Sequence, residues 1–255
     1  MICVRRKCDK KSRAIYFQTF NVGFHAIKLY VLLTTMNESI SSHPWIENLR
    51  QALLESLPGA EAHRRMIPSN RQINLEAPTD ARVSSVMILL YENDAEWNTV
   101  LIRRSKDGQV HSGQISFPGG KKENSDPNLI YTAKRECEEE IGIPNDQIEI
   151  LGTLSDVYIP PSNFLVTPVI GHLTTTPSFR ASEREVSEII RLPLNLLFHP
   201  TVKCTHTVKP SYNPSASFET PVYALADDLI VWGATAMMIA ELEVIIEQFM
   251  QTPAS

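Results

Sequence analysis

A chain of 255 residues with 43% hydrophobic and 21% charged side chains has the make-up of one soluble globular domain plus a flank, with ample apolar material for a core. A formal net charge of −5 provides no positive field overall and argues against a non-specific nucleic-acid binder. Four cysteines (Cys3, Cys8, Cys137, Cys204) show no metal-ligand spacing and fit a reducing, cytoplasmic setting better than a disulfide framework.

Residues 1–35 differ from the rest. A basic start, MICVRRKCDKKSR, precedes a semi-apolar stretch that Gln18, Asn21, His25 and Lys28 interrupt too often for a transmembrane span. No clean small-residue cleavage site follows it, and the acid-poor start is also compatible with an organellar presequence. The preferred expectation is that translation begins at Met36 and that residues 1–35 are an extension outside the native folded protein. Mass spectrometry of the native N-terminus checks this, and a peptide from upstream of Met36 refutes it. Residues 36–80 then hold an N-terminal helix and a connecting loop, and residues 81–252 the main domain.

Residues 44–57 (PWIENLRQALLESL) carry apolar side chains at helical spacing and predict a packing helix that Pro58-Gly59 stops. Residues 60–82 read as loop. His63, Arg64, Arg65 and Arg71 within it are either phosphate ligands or, as the plainer reading, solvated charges. Residues 84–91 (SSVMILLY) and 99–103 (TVLIR) predict two strands joined by a turn near Asn93-Asp94. Arg103 and Arg104 end the second strand, and Lys121 and Lys122 lie further on. A guanidinium is a planar fork suited to phosphate oxygens, so Arg103, Arg104 and Lys121 are candidate substrate contacts, with plain surface charge as the competing reading.

Residues 117–143 (FPGGKKENSDPNLIYTAKRECEEEIGI) dominate the chain. A Pro-Gly-Gly turn leads through a polar loop into a predicted helix that ends near Gly142. At about 100° per residue, Glu136, Glu139 and Glu140 share an arc of roughly 100°, beside an apolar face of Ile130, Ala133, Cys137 and Ile141. Carboxylates so crowded repel one another, and a cation turns that repulsion into binding. All-oxygen ligands favour a hard ion such as Mg²⁺ or Mn²⁺, and magnesium commonly shares its shell with substrate phosphates. A solvated acidic helix face is the bland alternative. Gly119-Gly120 permits close approach of backbone to a ligand, although Pro-Gly-Gly alone is an ordinary turn.

Beyond the helix, residues 147–154 and 165–173 predict strands separated by IPPSNF (residues 159–164), and residues 174–182 predict a loop. Residues 183–190 begin a helical or extended segment. Residues 201–209 and 217–224 predict a hairpin, in which His206 and Tyr223 face either ligand or core. Residues 230–250 predict a long apolar helix whose acidic residues exclude a membrane span and whose surplus apolar surface serves the core or a homodimer contact.

The segment Arg135-Glu-Cys-Glu-Glu-Glu-Ile-Gly-Ile143 resembles the second half of the Nudix box: Gly, five residues, Glu, seven residues, then Arg-Glu-apolar-x-Glu-Glu-x-Gly-apolar. The first half departs from it, because Gly120-to-Arg135 is one residue longer and Asp126 stands at the early Glu. That departure resembles the coenzyme A pyrophosphatase subfamily, as does Gly113-Gln-Ile-Ser-Phe-Pro-Gly-Gly120, with Ser105 eight positions upstream and Gln109 where the subfamily has Arg. The resemblance covers residues 80–250. It implies an α/β fold, a Nudix-type α/β/α sandwich with a mixed β-sheet. It also implies a magnesium- or manganese-dependent pyrophosphohydrolase taking a small-molecule nucleotide substrate, with no nucleic-acid or membrane partner. The metal ligands it implies are Glu136, Glu139, Glu140 and the Gly120 carbonyl. The catalytic group is Glu136, Glu140, Arg135 in an orienting role and Glu185 as an additional carboxylate. Residues 159–164 line the site, where Phe164 either stacks on adenine or joins the core. The implied reaction splits coenzyme A and its derivatives into 3′,5′-ADP and 4′-phosphopantetheine. Two alternatives stand beside it: hydrolysis of another nucleoside diphosphate derivative (NADH, ADP-ribose, a nucleotide sugar), and a non-catalytic nucleotide-binding module.

Overall fold

The computed structural model describes residues 44–68, 76–105, 112–211, 213 and 215–251. The expectations for residues 1–35, Arg71 and Gln109 lie outside the described residues. Strand β1 (Arg82–Asn93) turns through Asp94 and Ala95, both at positive φ (51° and 61°), into β2 (Glu96–Arg104). Left-handed residues at both central positions match the right-handed twist of the paired strands, which is why a two-residue turn closes this hairpin.

Short strands β3 (Ile115–Ser116) and β4 (Gly119–Lys121) precede the carboxylate helix. After that helix come β5 (Glu149–Thr153), β6 (Val157–Ile159), β7 (Phe164–Leu173) and β8 (Val186–Pro193). They form one eight-stranded sheet with the path β3-β2-β1-β7-β5, where β4 also joins β1, β6 joins β7 and β8 joins β2. The β1–β7 pair is parallel, from Arg82 opposite Phe164 to Tyr91 opposite Leu173, and the other pairs are antiparallel. The sheet is therefore mixed, as expected. A second, three-stranded sheet holds β9 (Lys203–Val208), β10 (Phe218–Ala224) and β11 (Ile230–Val231) in the order β11-β10-β9.

The helices are α1 (Pro44–Ala52), α2 (Gly59–His63), α3 (Leu129–Ile141), α4 (Leu194–Leu197) and α5 (Gly233–Gln251). Because side chains alternate along a strand, Met87, Leu89 and Tyr91 of β1 pack with Ala133, Cys137 and Ile141 of α3. Ile88 and Leu90 pack on the opposite face with α1 and with Ile239, Leu242 and Ile245 of α5. Both faces are covered, giving the expected three layers. A fully buried Ile or Leu contributes about 1.5–3 kcal/mol, and Ile141 supplies one such anchor for α3.

Several local expectations change. Residues 59–66 are helical, as α2 and a 3-10 turn at Arg64–Met66, rather than loop. His63 is neither a solvated charge nor a phosphate ligand: it is buried, with Nε2 2.8 Å from Glu241. Of the acidic residues of α5, Glu241 and Glu243 are buried and paired with His63 and Lys203, and Glu247 is exposed. On α3, Ile130 is 37% exposed, and Thr132 takes the buried place in the first turn. Residues from Val186 are extended, and Tyr223 belongs to the core. Cys137 is a free buried thiol. Among the described residues no helix is long and apolar enough to cross a membrane.

Candidate active site

Helix α3 has well-defined ends. Asn128 is extended and its side chain accepts the Tyr131 N–H at 2.9 Å, while Gly142, at φ 74°, closes the last turn through its N–H to Glu138 O. The helix axis is thereby set against β4, where Ser85 faces Gly120 and Val86 faces Gly119 across the ladder. A Cβ on Gly119 would collide with the Ser85 carbonyl and the Val86 backbone, and one on Gly120 would lie 2.5 Å from the Glu136 carboxylate. The Gly-Gly pair exists because two close approaches meet there.

Glu140 is 1% exposed and accepts the Gly119 N–H at 2.8 Å and Arg104 Nη1 at 3.1 Å. Burial pushes its carboxyl up to about 7 against the pull of Arg104 and Gly119, and Glu136 and Glu185 push it further the same way. Burial likewise raises Glu136, opposed by Arg135 and reinforced by Glu139 and Glu185. Glu136, Glu140 and Glu185 line one polar cavity of about 460 Å³, together with Arg104, Lys121 and Arg184. A second cavity of about 830 Å³ shares Arg104, Gly119, Gly120 and Lys121 with the first and continues over Phe164, Phe218 and Trp232.

Arg135 ties the loop to the helix. Its Nη1 lies 2.9 Å from Glu136 and 3.0 Å from Glu139, its Nε and Nη2 lie 3.1 and 3.0 Å from Asp126, and Nη2 donates to Lys121 O at 3.1 Å. Asp126 is buried and also accepts from Thr132 Oγ1 and the Glu123 N–H, each at 2.9 Å. The Arg135 hydrogen bonds hold its carboxyl down to about 2. A carboxyl with a depressed folded value contributes stability that is complete above its unfolded value near 3.8 and is lost as pH falls toward about 2. We expect wild type to lose about 1–2 kcal/mol more than Asp126→Asn between pH 5 and pH 2, read by urea unfolding.

The structure brings Glu136, Glu140, Glu185, Gly120, Arg104 and Lys121 to the smaller cavity, and Phe164 to the larger. Arg103 lines neither: adjacent strand residues point to opposite faces, and its guanidinium goes to Glu188 at 2.8 Å and to Asp228 O at 3.1 Å. Glu139 lines neither; it stands half exposed and pairs with the same Arg135 Nη1 that contacts Glu136. Among the described residues no three His, Cys, Asp or Glu side chains already converge as a metal cage. Sequence reasoning passed over Arg184, Arg82 and Tyr158. Arg184 adjoins Glu185, and that adjacency was the available signal.

A NUDIX domain model matches residues 81–206. The chain is 34% identical over 147 residues to the uncharacterized Nudix hydrolase NudL of Pectobacterium atrosepticum, covering 56% of this chain and 72% of that one. It is also 34% identical over 171 residues to the protein of the same name from Shigella flexneri serotype 5b, covering 67% and 85%. The chain belongs to the Nudix hydrolase family. A solved structure, the MutT protein from Methanosarcina mazei, aligns with a TM-score of 0.43 at 18% identity over 70% of this chain and all of that one. As a Nudix hydrolase the chain is a pyrophosphohydrolase, and its Gly-Gly turn becomes a test of the site. Gly120→Ala is expected to displace the Glu136 carboxylate and lower kcat about 100-fold, since a misplacement of an ångström has that scale. Steady-state kinetics against Gly152→Ala, whose added methyl meets Leu53 and which lines neither cavity, measure it.

Proposed function

We propose that this Nudix hydrolase cleaves the diphosphate of coenzyme A and its derivatives, giving 3′,5′-ADP and 4′-phosphopantetheine or its acylated form, with Mg²⁺ or Mn²⁺. The observation that carries the reading is the continuity of a carboxylate-lined pocket with a larger apolar one. A charged anhydride is served by the first, and the bulky groups on either side of it by the second.

The donor set suits a hard divalent ion. Burial pushes both Glu136 and Glu140 up, with Glu139 and Glu185 adding to the first and Glu136 and Glu185 to the second, and added positive charge relieves both. Glu136, Glu140 and the Gly120 carbonyl would hold the ion, with Glu139 within reach only if Arg135 releases it. Bound there, a divalent cation neutralises diphosphate oxygens and acidifies a water. Glu185 or Glu136 accepts the proton of the attacking water. Arg104 keeps Glu140 in place, and Arg135 orients Glu136 and the loop. Lys121 and Arg184, beside the carboxylates, receive diphosphate oxygens, and Phe164 supplies a face for an aromatic base.

Gln109, at the position where the subfamily has Arg, is the feature that favours a different diphosphate. The test is a panel of coenzyme A, acetyl-coenzyme A, NADH, ADP-ribose and UDP-glucose with magnesium supplied. Coenzyme A compounds are expected to have the highest kcat/KM. ADP-ribose cleaved far faster overturns the substrate assignment, and binding without turnover of any of them favours the non-catalytic module.

A further inference from the structure

Arg82 opens β1 on the same face as Ser84 and Val86, and all three line the larger cavity. Its Nη2 donates to Ser162 O at 2.5 Å, its Cζ lies 4.1 Å from the centroid of the Phe164 ring, and its backbone N–H donates to Asn163 O at 2.8 Å. The guanidinium is thus held flat against an aromatic wall by the same segment, residues 160–164, that shapes the pocket. Such a contact fixes the fork and leaves further N–H donors for a ligand.

Its charge is open to a ligand. Arg50, Arg103, Arg104 and Arg135 each stand on a carboxylate, whereas among the described residues Arg82 has none within ion-pair distance and it lines the larger cavity. It is also separated from the reacting end of the cleft. Gly120 sits opposite Ser85, three residues along β1, which places the Arg82 and Gly120 backbones on the order of 10 Å apart. The cleft therefore has cations beside the carboxylates, an aromatic wall, and a further cation at its outer edge.

We propose that Arg82 selects nucleoside diphosphate derivatives that carry an additional phosphate on the nucleoside, away from the scissile diphosphate. The bidentate fork of Arg82 receives that phosphate while the base lies against Phe164. The assignment rests on the hydrolase reading above but concerns a different residue and a different part of the ligand.

The test compares coenzyme A with 3′-dephospho-coenzyme A in wild type, Arg82→Met and Arg82→Lys. Wild type is expected to favour the phosphorylated substrate in kcat/KM by about tenfold or more. Arg82→Met, which keeps the stem packed on Phe164, brings the ratio close to one, chiefly through KM, and Arg82→Lys restores part of it. A ratio unchanged in Arg82→Met overturns the proposal. Binding of 3′,5′-ADP against 5′-AMP by calorimetry separates it from the catalytic reading. Should neither coenzyme be hydrolysed, a 3′,5′-ADP preference that Arg82→Met abolishes still supports the subsite. Equal binding of the two nucleotides, or binding of neither, overturns it.

Discussion

Glu140→Gln is expected to lower turnover at least about 10³-fold while raising the stability of the metal-free protein. The two effects have one cause. Glu140 is buried against the Gly119 N–H and Arg104, and burial lifts its carboxyl from 4.5 to about 7. A carboxyl whose folded value lies above its unfolded one favours the folded state most when protonated. Its contribution is complete below about 4.5 and is lost as pH rises toward 7 and beyond. At pH 8 the ionised group then costs about 1–3 kcal/mol relative to pH 5. Glutamine keeps an acceptor for Gly119 and removes the charge, and Arg104, itself partly exposed, is left to solvent. Thermal melts without divalent ions should show wild type less stable at pH 8 than at pH 5.5, with the variant nearly flat. Magnesium should raise the wild-type melting temperature at pH 8 and leave the variant unmoved. A variant that turns over at the wild-type rate sinks the assignment of Glu140 to the metal site.

Arg135→Met is the second large effect, and it acts through stability first. Removing the guanidinium leaves Asp126 buried at 2% exposure with only Thr132 and the Glu123 N–H to hold its charge. Breaking a buried pair from one side costs about 3–5 kcal/mol. It also frees Glu136, Glu139 and the Lys121 carbonyl, so the loop that carries β4 loses its tie to α3. Urea unfolding should show the loss. The double variant Arg135→Met/Asp126→Asn should recover part of it, since an apolar-neutral pair carries no stranded charge. A loss under about 1 kcal/mol would mean that the ion pair is solvent-screened and that the loop is held by something else.

How far the site was legible differs from residue to residue. The C-terminal end of α3 is legible at Gly142, whereas its start, where Asn128 accepts the Tyr131 N–H, falls in the stretch read as polar loop, although a cap depends only on residues three apart. The placement of Glu136 and Glu140 together followed from helical periodicity, as did Cys137 facing the core. Glu139 was the third member of the same arc, yet it pairs with Arg135 and does not line the cavity. Periodicity fixes an angle about the helix axis and says nothing about which neighbour occupies it. Arg103 and Arg104 were indistinguishable as adjacent basic residues. The sheet separated them, sending one to Glu188 and the other to Glu140.

The strand and helix periods and the Gly-Gly turn determined the individual elements and the carboxylate helix by themselves, because those signals are carried by residues close along the chain, and the fold class came through the resemblance of residues 135–143 to the Nudix box. The tertiary structure alone decided that Asp126 would face Arg135, that Glu185 would meet Glu136 and Glu140 across one cavity, and that Arg82 would lie over Phe164. The physical reason is that these pairings join parts of the chain brought together only when both faces of the β-sheet are packed, and desolvation there sets which charges need a partner.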